Sequence, residues 1–377
     1  MAENNEVRKG LEGVIAETTS ISQVIPEMLA LTYRGYSVQD LAEKCCFEEV
    51  AFLIWKGDLP NEHERDAFKE KEKSYRKINP RIIACIESSP KSAHPMDCLI
   101  TGVSILGMED LNKDDHGQAS NLERSIKLMA AIPTIIAAAY RLGKGKEPIT
   151  PNEILGLSEN FFHMCFGEIP DPEIVKAFDV SLILYAEHTL NPSTFAARVI
   201  ASTLSDSYSG VIGALCALKG NLHGGANEKV MCMLQEIKEP SKAKYWLRDK
   251  LEKKEKIPGF GHRVYKKGDS RYLLMKKYAL NLAELKKEYN WNEISEVLEK
   301  HMIEERGIYP NLDFASGPAY HLMGFDNALF TPIFAIARVV GWTAHIMEQY
   351  ADNKIIRPLS LYTGPQPKKI FPASSGG

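Results

Sequence analysis

The chain has 377 residues, 44% hydrophobic and 25% charged, with a net charge of −3 at neutral pH. That length exceeds what one core usually organises and predicts a large domain beside a smaller one, with the composition of a soluble globular protein. So even a charge balance excludes whole-molecule attraction to nucleic acid or anionic membrane; any cationic site must be local.

In chain order, the start MAENNEVRKG holds no apolar signal-peptide core. Short strands are expected only near the N-terminus, in GVIAETTSIS. LAEKCCFEEVAFLIWKG (41–57) reads as a helix closed by Gly57. The seven cysteines are odd in number and scattered, without a C-x-x-C pair, and the adjacent Cys45 and Cys46 make a poor disulfide. Reduced thiols of a cytoplasmic protein, without metal, are the expectation.

LMAAIPTIIAAAY (128–140) is too short an apolar run to span a bilayer and reads as a buried helix containing Pro133. In VKAFDVSLILYAEH, Val175, Phe178, Leu182 and Tyr185 form one apolar stripe. Charge is concentrated in 236–300, in KAKYWLRDKLEKKEK and NEISEVLEKHMIEER. That shift predicts a small domain over 225–324, with 1–224 and 325–377 forming the large one. ALFTPIFAIARVVGWTAHIMEQY (328–350) reads as a core helix with Pro332 in its first turn. Sustained alternation and repeat periods are both absent, which disfavours a parallel sheet and a solenoid. The reading is an all-α fold.

Three stretches break the helical pattern: GNLHGGANE (220–228), IPGFGHRVYKKGDSR (257–271) and YPNLDFASGPAY (309–320). Each sets one acid–base residue, His223, His262 or Asp313, beside glycine or proline. A single loop histidine is more often structural than catalytic; three such stretches in one helical chain point to a site. His223 and His262 lack an i,i+4 partner, so zinc is disfavoured. Phosphate-loop, dinucleotide and G-x-S-x-G motifs are missing. General acid–base work by two histidines and a carboxylate, with arginines holding an anion, remains.

LHGGANE, GFGHRVYKKGDSR, PNLDFASG and IIRPLSLYTGP, in this order, closely resemble the citrate synthase family in its short bacterial and archaeal form. The resemblance runs from about residue 9 to 365. It implies an all-α homodimer whose large and small domains close over the substrates, with no tightly bound cofactor. The implied reaction is a Claisen-type condensation of oxaloacetate with a short acyl-CoA, followed by thioester hydrolysis. By this resemblance Asp313 takes the α-proton of the acyl-CoA and His223 hydrogen-bonds its thioester oxygen. His262 polarises the ketone of oxaloacetate, and Arg271, Arg338 and Arg357 clamp its carboxylates beside His188 and Asn191. The backbone of Ile257, Pro258, Gly259, Phe260 and Gly261 meets the adenine, with Lys266 and Arg306 facing the CoA phosphates.

The family's C-terminal arginine reaches the partner's site, and Arg357 matches it. SAHPMDCLITGVSILG and YAEHTLNPSTFAARVIASTLSDSYSG look closest to the 2-methylcitrate branch, which uses propionyl-CoA. GHRVYKKGDSR is nearer enzymes using acetyl-CoA. The 2-methylcitrate synthase reading is slightly favoured, with citrate synthase the alternative. A citrate-cleaving lyase and a non-catalytic scaffold are more remote.

Overall fold

The computed structural model describes residues 7–262, 265 and 267–368. It opens with a small antiparallel sheet, β1 (Ser22–Ile25), β2 (Ala30–Tyr33) and β3 (Tyr36–Ser37), in that order. The strands begin at the last residue of GVIAETTSIS rather than within it. Burial explains the shift: Leu31 and Tyr33 are fully enclosed and give β2 an inward face, whereas Ile15 is 91% exposed.

The expected 41–57 helix is two helices, α1 (Val38–Lys44) and α2 (Phe47–Lys56). Cys45 and Cys46 between them are extended, and two carboxylates stabilise the restart. Glu49 accepts the Cys46 N–H at 2.8 Å, and Asp179, from far along the chain, accepts that of Phe47 at 3.3 Å. Gly57 closes α2 at φ +97°, as expected. All seven cysteines are free.

The chain continues through α3 (Glu62–Ser74), α4 (Pro80–Glu87), α5 (Pro95–Glu109), α6 (Gln118–Gly143) and α7 (Leu157–Phe166). Then come α8 (Pro172–Tyr185), α9 (Pro192–Ser202) and α10 (Ser207–Leu218). The charged stretch lies in α11 (Ala226–Ile237), α12 (Pro240–Glu252), α13 (Tyr272–Lys286), α14 (Asn290–Arg306) and α15 (Leu312–Leu322). The chain then returns through α16 (Phe330–Ala351). The fold is all-α apart from the small sheet.

The helix α6 exceeds the apolar run that identified it. It and the segment 327–351 are long and apolar enough to cross a membrane by length and composition, yet 72% and 100% of their apolar windows are buried inside the fold. They are core helices here. α16 packs on α2, α5, α6, α8, α9, α10 and α11, which makes it the axis of the larger layer of helices. Its first turn carries Pro332, where no intrahelical N–H is needed. The helices α11 to α15 pack mainly on one another, through α13 with α15, α11 with α15 and α12 with α14.

One close approach joins α16 to the turn after α8. A Cβ on Gly341 would stand 2.2 Å from Glu187 Oε2 and 2.6 Å from the Ala186 carbonyl. Backbone cannot yield as a side chain can. Gly341→Ala is therefore expected to cost stability at the upper end of the roughly 1–3 kcal/mol typical of overpacking. Gly143→Ala, whose Cβ would find only an ordinary 3.7 Å contact, is the control. Urea denaturation of both variants checks the difference.

Candidate active site

A helix leaves its last carbonyl oxygens without N–H partners, and those of α8 are taken by side chains from three other segments. Tyr33 of β2 donates its hydroxyl to the Ile183 and Glu187 carbonyls, each at 3.0 Å. Arg271 Nη1 reaches the Leu184 carbonyl at 3.4 Å, and Arg338 Nε reaches that of Tyr185 at 2.6 Å. The negative end of the helix dipole favours cations there.

Both guanidiniums are buried, 6% exposed for Arg271 and 2% for Arg338. Arg271 forks onto Asp269, Nε to Oδ1 at 2.9 Å and Nη2 to Oδ2 at 2.7 Å. Burial opposes ionisation of Asp269, but the Arg271 charge holds its carboxyl well below the ordinary range. Asp269 Oδ2 also accepts the Leu312 N–H at 3.1 Å, tying the 257–271 loop to the start of α15.

Arg338 has no such fork. Its guanidinium lies 4.8 Å over the Phe334 ring, and its terminal nitrogens have no hydrogen-bond partner among the described residues. Burial lowers its pKa to about 10, so it stays charged at neutral pH. The balancing charge is Glu187, fully buried and bonded to His345 Nε2 at 2.9 Å and Ser22 at 3.0 Å. Burial works against that carboxylate, but His345 and Arg338 hold it below its ordinary pKa.

The Pro-Gly-Phe-Gly turn pairs with residues 309–311. Gly261 N–H meets the Tyr309 carbonyl, and Asn311 N–H meets that of Gly259, both at 2.9 Å. Gly259 sits at φ +79°, and a Cβ there would come 2.8 Å from Phe314 and Val230. Only glycine fits. The turn sets the His262 ring 5.1 Å from that of His188. His262 Nδ1 accepts the Tyr265 N–H at 3.1 Å, which places a neutral ring's proton on Nε2. His188 is buried and driven well below its ordinary pKa, first by burial and then by Arg271; its Nε2 is buried without a partner among the described residues.

His223 precedes α11, and its Nε2 lies 2.7 Å from Ser193 Oγ. That hydroxyl also accepts from Trp342 Nε1 at 3.0 Å and donates to Asn191 Oδ1 at 2.8 Å. Burial, then the Arg338 charge, pushes the His223 pKa down to about 3, so the imidazole is neutral. Asp313, in the first turn of α15, accepts the Tyr185 hydroxyl at 2.6 Å. Burial pushes its carboxyl up to about 6, against the Tyr185 bond and the Arg271 charge.

The structure thus gathers His188, His223, His262, Arg271, Arg338 and Asp313 around the end of α8. Asn191 stands at the edge with its amide committed to capping α9, accepting the Thr194 N–H at 3.1 Å. Ile257 to Gly261 form the turn described above. Arg306 is exposed at the end of α14, and Lys266 lies outside the described residues. Arg357 is exposed in the irregular segment after α16, with no ion-pair partner among the described residues. Sequence reasoning missed Tyr185, Ser193, Asp269 and Glu187 as site residues. The only signal for Tyr185 was a hydroxyl at the end of an apolar stripe, next to Glu187 and His188.

A family profile described as "Citrate synthase, C-terminal domain" matches residues 10–359. A 2-methylcitrate synthase of Mycobacterium tuberculosis is 50% identical over 372 residues, covering 99% of this chain and 94% of the relative. A citrate synthase of Mycolicibacterium smegmatis is also 50% identical, over 98% of each chain. The solved ternary complex of Thermoplasma acidophilum citrate synthase with carboxymethyl coenzyme A and oxaloacetate superposes with a TM-score of 0.93, at 34% identity, covering 97% of this chain and 98% of that one.

The Arg271–Asp269 pair yields a stability prediction. Asp269→Asn strands a buried cation, which typically costs about 3–5 kcal/mol. Because the folded pKa of Asp269 is depressed, the pair's contribution is full above the unfolded carboxylate pKa and is lost as pH falls through the folded one. Urea midpoints for wild type and Asp269→Asn should differ most at pH 7 and converge in strong acid.

Proposed function

The chain belongs to the citrate synthase family and is an acyltransferase that condenses an acyl-CoA with oxaloacetate; we propose the roles of its residues as follows. The observation that carries them is the cluster at the end of α8: two buried guanidiniums, neutral histidines and a carboxyl poised near neutrality.

Oxaloacetate brings two carboxylates. The terminal nitrogens of Arg338, the outer edge of Arg271 and the unpartnered Nε2 of His188 supply donors for them. Asn191 supports Ser193 from the rim. Asp313, ionised above about pH 6, takes the α-proton of the acyl-CoA. A carboxylate alone is far too weak a base for a thioester α-proton, so the developing enolate oxygen needs a donor. One such donor is typically worth roughly 3–4 kcal/mol.

His223 is its donor: Ser193, which here gives its single proton to Asn191 Oδ1, turns that proton to His223 Nε2 when substrate binds, and the neutral ring then carries its own on Nδ1. His262, with its proton on Nε2, donates to the ketone oxygen of oxaloacetate and delivers that proton as the enolate carbon attacks. Water then cleaves the thioester, releasing CoA and the tricarboxylate. The backbone of 257–261 receives the adenine, and Arg306 with Lys266 the CoA phosphates. The unit 225–324 closes over the substrates as a small domain against 1–224 and 325–377, supported by the packing of α11 to α15 on one another.

Propionyl-CoA is slightly favoured as the acyl donor, with acetyl-CoA also turned over. One methylene is worth only about 1 kcal/mol of pocket discrimination. Release of free thiol from each acyl-CoA with oxaloacetate, compared as kcat/KM, tests this: a ratio above one for propionyl-CoA supports it, and strong preference for acetyl-CoA overturns it. No thiol release with either would refute the function itself. The seven free thiols support a reducing, cytoplasmic setting.

Asp313→Asn should lose condensation by the 10²–10⁴-fold typical of a missing general base, while calorimetry still records oxaloacetate binding. In the wild type, kcat/KM for the acyl-CoA should fall as pH drops through about 6, because protonation removes the base.

The chain acts as a homodimer with shared sites, supported by the exposed segment 352–368. Its prolines forbid a continuing helix, and Arg357 is exposed on it. Asp313→Ala and Arg357→Ala homodimers should each be nearly inactive. Mixed dimers should regain activity, since one of their two sites is intact. Mixed dimers as inactive as their parents would place Arg357 in its own subunit's site.

A further inference from the structure

The hydroxyl of Tyr185 stands between two partners, Asp313 Oδ1 and Ser316 Oγ, each at 2.6 Å. An ionised carboxylate only accepts, so the phenolic proton points to Asp313. The phenol oxygen can then only accept from Ser316, whose other neighbour, the Asp313 main-chain carbonyl, lies farther off at 3.3 Å. The direction of the chain is fixed: Ser316 to Tyr185 to Asp313 Oδ1. Asp313 Oδ2 accepts no hydrogen bond among the described residues. The Tyr185 ring is itself wedged, 2% exposed and 4.3 Å from the Phe334 ring that underlies Arg338.

We propose that Ser316 and Tyr185 are positioning residues for the Asp313 carboxylate, committing Oδ1 and presenting Oδ2 to the acyl-CoA α-carbon. This rests on the reading of Asp313 as the base. The groups facing that carboxylate come from four places. Tyr185 closes α8, Ser316 and Tyr320 lie on α15 itself, Arg338 stands on α16, and Arg271 and Asp269 belong to the loop before α13. Burial raises the carboxyl; the Tyr185 bond, Arg271 and Arg338 lower it, while Asp269 raises it. Burial and the Asp313 charge drive the Tyr185 phenol far above its ordinary pKa, so it remains a donor across the working range. Removing that donor leaves the charged form of the base less stabilised.

The test is a pH–rate profile with acyl-CoA and oxaloacetate for Tyr185→Phe and Ser316→Ala. In Tyr185→Phe the acid limb should move upward by about one pH unit and kcat fall roughly tenfold, the size of losing a hydrogen bond to a charged group. KM for oxaloacetate should stay within about twofold, since the ring and the arginine clamp remain. Ser316→Ala should shift the limb the same way by less. A folded Tyr185→Phe with an unmoved acid limb overturns the proposal. If Tyr185→Phe does not fold, Ser316→Ala decides alone, and an unmoved limb again overturns it. Asp313→Asn separates the two readings. If it is inactive while the hydroxyl variants behave as wild type, the positioning role fails and the base stands. If it is active, both fail.

Discussion

The last carbonyls of α8 are the anchor on which the candidate site is assembled. Tyr33, Arg271 and Arg338 come from the first sheet, the glycine-rich loop and the last helix, and each donates to that one turn. A helix end buried without partners would be costly, so its satisfaction and the gathering of the cations are a single event. The helix dipole adds to the attraction. Chemistry-bearing residues more than a hundred positions apart thereby share a few ångströms.

Two cations in a protein interior demand compensation, and the structure treats them differently. Arg271 is matched bidentately by Asp269, which also anchors the start of α15 beside Asp313. Arg338 is balanced by Glu187 without a direct fork, which leaves its terminal nitrogens unbonded among the described residues. Gly341 lets Glu187 reach its place against α16. The same cations, together with burial, hold His188 and His223 neutral. A neutral imidazole donates one proton in a chosen direction; at His262 the Tyr265 N–H chooses it, and at His223 the partner is Ser193, whose own proton goes to Asn191.

Much of this was legible in the residues. Glycine and proline beside ionisable groups marked the three loops because such turns suit little else, and the apolar stripe of α8 and the apolar run of α16 announced buried helices. The break at Cys45–Cys46 was not legible: the apolar pattern runs through it, and the group that restarts α2, Asp179, is far along the chain. Tyr185, Ser193 and Asp269 also escaped notice. Their importance lies in what they touch, as with Tyr185 and Asp313, 128 residues apart, and no local pattern encodes such a contact. The strands were misplaced because Val14 and Ile15 look like strand residues yet face outward.

The central position of α16 bears on the order in which this chain becomes a protein. α2, α5, α6, α8, α9 and α10 all pack on a helix that ends at residue 351, so their shared core stays open until the ribosome has made almost everything else. At roughly 5–20 residues per second, α6 is finished about 10–40 s before α16. During that interval the part of α6 that α16 covers lacks its final partner, although α3, α4, α5 and α7 are already made. The larger layer of helices is thus completed only at the end of synthesis, and the surface that awaits α16 is what chaperones of emerging chains would have to shield.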